Sequence, residues 1–244
     1  MCTVTIFPTK SGWLLTSSRD VSLARPKAKF PVFTKKNGIE ILYPEDGLAK
    51  GTWIGTNNNA TTVCLLNGAF EKHENIIPYR KSRGLIVLDI LSTDKPYTVL
   101  KTSNLNGIEP FTLIMIENNK RLSENRWDGN KLHTRPLNLK DKNIWSSSTL
   151  YNDEVCKERK KMFGECNMTN DITEKELLSY HKTAFKELGE ENQALMSRKE
   201  KGYGTVSITC LKASATHVSF FYEDVLNNFK KDELIQFSSS PILT

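Results

Sequence analysis

Residues 1–20 read MCTVTIFPTKSGWLLTSSRD, and the reading of this stretch decides the fold. CTVTIF at 2–7 and WLLTS at 13–17 are rich in β-branched and aromatic residues, and Lys10-Ser11-Gly12 marks a turn between them, so a β-hairpin is expected. Antiparallel pairing then brings Arg19 and Asp20 beside the Cys2 end of the first strand. Once Met1 is removed, Cys2 carries a thiol and a free α-amine. The amine titrates at about 7.7–8.0 and the thiol at about 8.5, so one residue holds a nucleophile and its own base near neutral pH. The plainer alternatives are that Cys2 is the second residue of an irregular start and that Arg19-Asp20 is an exposed ion pair closing a strand, which stabilises little.

The 244 residues fit one domain spanning 1–244, with ample length to bury a core. Hydrophobic residues make up 38% and charged residues 25%, an ordinary globular composition. The net charge of +6 is scattered, as at 157–161 where Glu158 interrupts the basic run, and no nucleic-acid motif accompanies it. A nucleic-acid partner is therefore not expected. Five cysteines (Cys2, Cys64, Cys156, Cys166 and Cys210) form an odd set without a CxxC pair, which speaks against a zinc cage or a disulfide framework. Neither a metal nor another cofactor is expected. The start has no charged n-region and no segment approaches 18 apolar residues, so we expect a cytoplasmic protein without a membrane span. With only Met1 ahead of Cys2, no propeptide is expected.

Further along, Pro26, Pro31 and several lysines mark 21–36 as an irregular connector, and 39–43 reads as a strand. A second hairpin contains Trp53-Ile54 and the run at 63–66, after which Asn67-Gly68 looks locally like a turn. SRGLIVLDILS at 82–92 predicts a buried helix closed by Pro96, followed by a shorter helix over 97–105. FTLIMIE at 111–117 predicts a strand, 120–136 an antiparallel ribbon, 144–149 a strand end, and 150–165 a charged helix. The clearest helical pattern covers 171–197, with Asp171 or Thr173 as cap and Leu177, Leu178, His181, Phe185 and Leu188 along one face. A histidine on such a face is more often a satisfied core residue than a catalyst. A last hairpin over 202–211 and 216–223 precedes an amphipathic helix expected over 225–237. Strands at both ends with helices between and after them predict an α+β sandwich of antiparallel sheets covered by helices.

Five landmarks occur in order: MCTVTIFPTKSGWLLTSSRD, GTWIG at 51–55, LLNG at 65–68, IWSSSTLY at 144–151 and YGTVS at 203–207. Together they resemble the NRDE family, of the transport and Golgi organisation type. That family is similar to the N-terminal nucleophile hydrolases of the choloylglycine hydrolase and penicillin V acylase group. The resemblance implies a four-layer αββα sandwich of two antiparallel sheets with a site at the start of the first strand. It also implies that Cys2 is the nucleophile, that Arg19 lies against its sulfur, that Asp20 holds the α-amine and that Asn67 forms part of an oxyanion hole. The chain departs from the pattern at Ser18 and Val21, where the signature has Asn and Glu. It departs again at Ser148, where an Asn is usual, and at Val206, where an Arg often stands. Ser148 and Val206 are thus expected to make a more apolar substrate wall that prefers a neutral ligand.

Three functions compete on this reading. The first is an N-terminal-cysteine amidohydrolase that cleaves a linear non-peptide C–N amide bond through a thioester after Met1 removal. The second is a non-catalytic protein of the same fold that binds or carries a small hydrophobic ligand, an acyl compound or haem. The third is a Cys-His hydrolase using His73, His133, His181 or His217, none of which has a recognisable motif around it.

Overall fold

The structure is a computed structural model and describes residues 3–74 and 78–238. Its first half contains β1 (Thr3–Thr9), β2 (Gly12–Ser22), β3 (Val32–Lys36), β4 (Ile39–Tyr43), β5 (Ile54–Asn57), β6 (Thr62–Asn67), α1 (Arg83–Leu91), α2 (Pro96–Thr102) and β7 (Phe111–Glu117). The second half adds β8 (Arg121–Trp127), β9 (Leu132–Leu137), β10 (Asn143–Ser146), α3 (Asp153–Glu165), α4 (Glu174–Thr183), β11 (Ser197–Arg198), β12 (Tyr203–Ala213), β13 (His217–Asp224) and β14 (Phe229–Gln236). One sheet runs β10-β1-β2-β12-β13-β14, with β11 added to β12, and the other runs from β3 to β9 in sequence order. Every pairing is antiparallel.

The period-two alternation of the strands sorts side chains into layers. Val4, Ile6, Trp13 and Leu15 of one sheet meet Leu42, Ile54, Cys64, Leu66, Ile114 and Ile116 of the other. Their neighbours Val63, Leu65, Leu113 and Met115 face the opposite way, onto Ile86, Val87 and Ile90 of α1 and Leu100 of α2. On the far side, Phe7 and Leu14 pack against Phe163 of α3 and Leu177 of α4. The result is four layers, helices outside two antiparallel sheets, as expected. Among the described residues no helix is long and apolar enough to cross a membrane.

Three elements differ from expectation. The connector over 21–36 contains β3, which pairs with β4 through Asn37 and Gly38, both at positive φ as a tight hairpin turn requires. Its lysines, which read as loop, instead charge an edge strand. The helix expected over 171–197 stops at Thr183, because Ala184 turns extended and Phe185 adopts φ 65°. That reversal sends Phe185, Ala194 and Met196 into the interior, so these apolar positions bury without the α-helix continuing, and only a single 3-10 turn at Lys186–Leu188 follows. Residues 225–237 hold β14 in place of a helix. The Asp224 carboxylate accepts the N–H groups of Leu226 and Asn227, and the chain returns as an edge strand pairing Val218 with Ile235. Pro96 also opens α2 at its first turn, where a missing N–H costs nothing, and does not close the helix before it.

Candidate active site

The first hairpin forms as expected but turns at Lys10-Ser11, which sets Thr3 opposite Ser18, and β2 continues beyond it through Arg19 and Asp20 along β12. Alternation sends successive side chains of β2 to opposite faces. Ser17 and Arg19 point between the sheets: Ser17 Oγ lies 3.5 Å from Cys64 Sγ, and the Arg19 guanidinium stacks 4.1 Å from the centre of the Trp53 ring. Ser18 and Asp20 point toward the α3/α4 layer. Arg19 is 4% and Asp20 2% exposed, so they are not a solvated pair closing a strand. Cys2 lies outside the described residues, as does its expected contact with both.

Arg19 donates to Asp46, which follows β4 in the other sheet, and Arg25 donates to the same carboxylate at 2.9 and 2.8 Å. Burial pushes the Asp46 pKa up, but hydrogen bonds from Arg25 and the Ala49 N–H, with the charges of Arg19 and Arg25, bring it down to about 2. Burial lowers the Arg19 pKa and the charge of Asp46 opposes that shift. Asp20 accepts from the Thr205 hydroxyl and, at 3.4 Å, from Tyr151 Oη. Tyr151 is itself bracketed by cations, with Arg159 at 4.3 Å and Arg198 at 5.5 Å from its ring. Arg159 is fully buried and donates to Thr3 Oγ1 at 2.6 Å and Ser146 Oγ at 2.9 Å, which ties α3 to the start of β1.

Asn67 ends β6 opposite Phe111, and its carbonyl accepts the Ser147 hydroxyl at 2.7 Å. Gly68, not Asn67, takes the positive φ of the turn. A Cβ on Gly68 would fall 2.3 Å from Ser148 Oγ, so only glycine fits beneath that loop. Asn67 lines a cleft with a free volume of about 120 Å³, together with Arg19, Arg25, Asp46, Trp53 and the start of α1. Ser148 and Val206 do not line it. Ser148 donates to the Glu71 carbonyl, and Val206 is the extra residue where the β2–β12 register shifts, its carbonyl accepting Val225 N–H.

The histidines have structural partners. Ser18 gives its proton to the Ala194 carbonyl at 2.9 Å, so its contact with His181 Nε2 at 2.7 Å is a hydrogen bond donated by the ring. Burial, aided by the charge of Arg159, lowers the His181 pKa to about 3 and keeps the ring neutral. His73 meets Glu109, His133 meets Asp128, and His217 meets Ser214. None of these bonds involves a cysteine. Cys64, buried between the sheets, has its thiol pushed up to about 12 by that burial.

Asp46, Arg25, Trp53, Thr205 and Tyr151 are the site residues that sequence reasoning did not assign. Three of them, Trp53, Thr205 and Tyr151, sit inside the landmarks GTWIG, YGTVS and IWSSSTLY, so the signal was present without a role attached. Asp46 lies in a loop with no periodicity to mark it.

A family model described as transport and Golgi organisation 2 matches residues 1–228. The chain belongs to this family. No curated protein sequence matches this transport and Golgi organisation 2 member. Its fold is similar to a mutant of conjugated bile acid hydrolase from Clostridium perfringens, with TM-score 0.56 and 11% identity over 100% of this chain and 98% of that one. It is also similar to penicillin V acylase from Agrobacterium tumefaciens, with TM-score 0.57 and 10% identity over 95% and 85% of the two chains. A third likeness is to the Caenorhabditis elegans ortholog of N-acylethanolamine-hydrolyzing acid amidase, with TM-score 0.53 and 14% identity over 86% and 92%. The family member therefore has the fold of these amide hydrolases.

Proposed function

We propose that the protein is an N-terminal-cysteine amidohydrolase acting on a linear, non-peptide amide. The observation that carries this reading is that buried Arg19 and Asp20 continue β2 directly past the Thr3–Ser18 pair, with Arg19 and Asn67 lining one cleft. On this reading Met1 is removed, and the freed α-amine of Cys2 takes the thiol proton. The thiolate attacks the amide carbon, the C–N bond breaks, and the amine departs with that proton. Water then hydrolyses the thioester, adding its hydroxyl to the acyl group and returning its other proton to sulfur. Arg19 favours thiolate by its charge, Asp20 orients the ammonium, and Asn67 donates to the developing oxyanion.

The test is intact mass after brief treatment with iodoacetamide at neutral pH, followed by peptide mapping. Loss of Met1 with labelling at Cys2 is expected, while buried Cys64 and Cys210 stay unmodified. Retention of Met1, or no preference for Cys2, removes the enzyme. Binding of an apolar acyl compound by such a protein would assign the fold to a carrier.

A further inference from the structure

Three arginines stand around the site end of the first hairpin, and they differ in what answers their charge. Arg19 is paired with Asp46, and Arg198 of β11 lies 3.7 Å from Glu191. Arg159 of α3 is 0% exposed, and no acidic side chain among the described residues forms an ion pair with it. Its guanidinium donates to two hydroxyls, lies 4.3 Å from the centre of the Tyr151 ring and 4.7 Å from that of Phe185, and leaves its Nε–H without an acceptor. A buried cation without a counter-charge is costly, and a neutral side chain of similar volume would stabilise the fold more. Packing alone does not account for an arginine here.

The bonds it makes show where the charge is held. Thr3 Oγ1 accepts from Arg159 at 2.6 Å, and Thr3 is bonded to Cys2, so covalent geometry alone keeps the α-amine of residue 2 within about 10 Å of the guanidinium. The other charged and titratable groups on this side of the sheet are Arg19 and Asp20 of β2, Cys156 of α3, Tyr180 and His181 of α4, Tyr151 and Arg198. Burial is the larger influence on His181, Cys156 and Tyr180, yet the charge of Arg159 acts on all three, in each case favouring the deprotonated form. Asp20 works in the other direction. A carboxylate that orients the α-amine also favours the ammonium, which cannot accept the thiol proton. Tyr151 stands between these opposing charges, its hydroxyl donating to Asp20 at 3.4 Å and its ring against Arg159. Two like charges about 10 Å apart in a partly buried setting shift a titration by roughly one pH unit, enough to offset such a carboxylate.

We infer that Arg159 is a positioning residue of the N-terminal site: it anchors Thr3, and its uncompensated charge keeps the α-amine of Cys2 as the free base that the thiol proton requires. The role in catalysis rests on the hydrolase reading above. The effect of the charge on the amine needs no turnover and is measured without it.

The full-length Cys2→Ala protein has an α-amine but no thiol beside it. It is treated briefly with acetic anhydride from about pH 5 to about pH 10, and acetylation of its N-terminal peptide, followed by mass spectrometry, gives the midpoint of the amine titration. Arg159→Gln in this background is expected to raise the midpoint by at least about half a pH unit, and Arg159→Lys, which keeps the charge, to leave it within about 0.2. Should Arg159→Gln fail to fold, Arg159→Met fills the same space and reads the same shift. In the protein with Cys2, Arg159→Gln should move the acid limb of kcat/KM for a linear amide upward by the same amount, because the amine acts only when deprotonated. An unchanged midpoint in the neutral variants, or an Arg159→Lys midpoint that moves as far as theirs, overturns the inference and leaves Arg159 as a tie between α3 and β1. A shifted midpoint with no cleavage by the wild type keeps the effect of Arg159 and removes the hydrolase. Cleavage whose acid limb ignores Arg159→Gln keeps the hydrolase and overturns the role of Arg159, and retention of Met1 removes both.

Discussion

Asn67 and His181 show how differently two polar residues can be used in one fold. Asn67 lines the cleft, and the strain of the turn falls on Gly68, so the Asn67 side chain is not needed to make the turn. Asn67→Ala is expected to lower turnover of a linear amide by about 10²–10³, the usual effect of one oxyanion donor, with an unchanged urea midpoint. Equal losses of stability and activity would make Asn67 a structural residue. His181 is the opposite case, neutral and hydrogen-bonded to Ser18. Its pKa is about 3 when folded against an ordinary 6.5, so below pH 6.5 the unfolded chain takes up a proton that the folded one refuses. Stability is therefore full above pH 6.5 and falls toward pH 3, with a slope of at most about 1.4 kcal/mol per pH unit from this group. His181→Gln can still donate to Ser18 but does not titrate, so its urea-derived stability should depend less steeply on pH between 6 and 4.

The elements follow local rules where their ends carry a signal. α4 begins at a capping box: Thr173 accepts Glu176 N–H, and Glu176 accepts Thr173 N–H. Both partners are exposed, so Thr173→Ala should cost about 1 kcal/mol in chemical denaturation without touching the core. The start of this helix was legible because Thr-x-x-Glu is a local motif. Its end was not, because Leu177, His181, Phe185 and Leu188 keep helical spacing through a segment whose backbone reverses at Ala184 and Phe185. β14 was misread for a related reason. An edge strand with charges on its open face and few buried positions gives an apolar pattern too sparse to separate from an amphipathic helix.

The two sheets are joined at the site by charge as well as by apolar packing. Arg19 comes from β2 and Asp46 from the loop after β4, so their pair spans the layers. Asp46→Asn would leave the Arg19 cation buried without its counter-charge, and a loss of about 3 kcal/mol is expected. Asp46 titrates at about 2, below its ordinary 3.8, so its contribution is complete above that ordinary value and disappears as the pH falls through 2. Thermal melts of wild type and Asp46→Asn should therefore differ by a constant amount from pH 7 to pH 4 and converge toward pH 2. A difference that persists at pH 2 would mean that the variant had lost packing and not charge pairing.

What this chain determined by itself is whatever depends on near neighbours. The β-branched runs flanking Lys10-Ser11-Gly12 settle the first hairpin, and the unbroken apolar runs of β6 and β7 settle that both faces of those strands are buried. The landmark residues point to the family, and through it to the start of β1. Only the tertiary structure decided which distant residues meet: Asp46 with Arg19, Tyr151 and Thr205 with Asp20, and the start of α1 with Gly51 and Thr52. These contacts join residues far apart in the chain, so no local period encodes them. They exist because stacking two sheets, each buried on both faces, leaves a few polar groups between layers that only one another can satisfy.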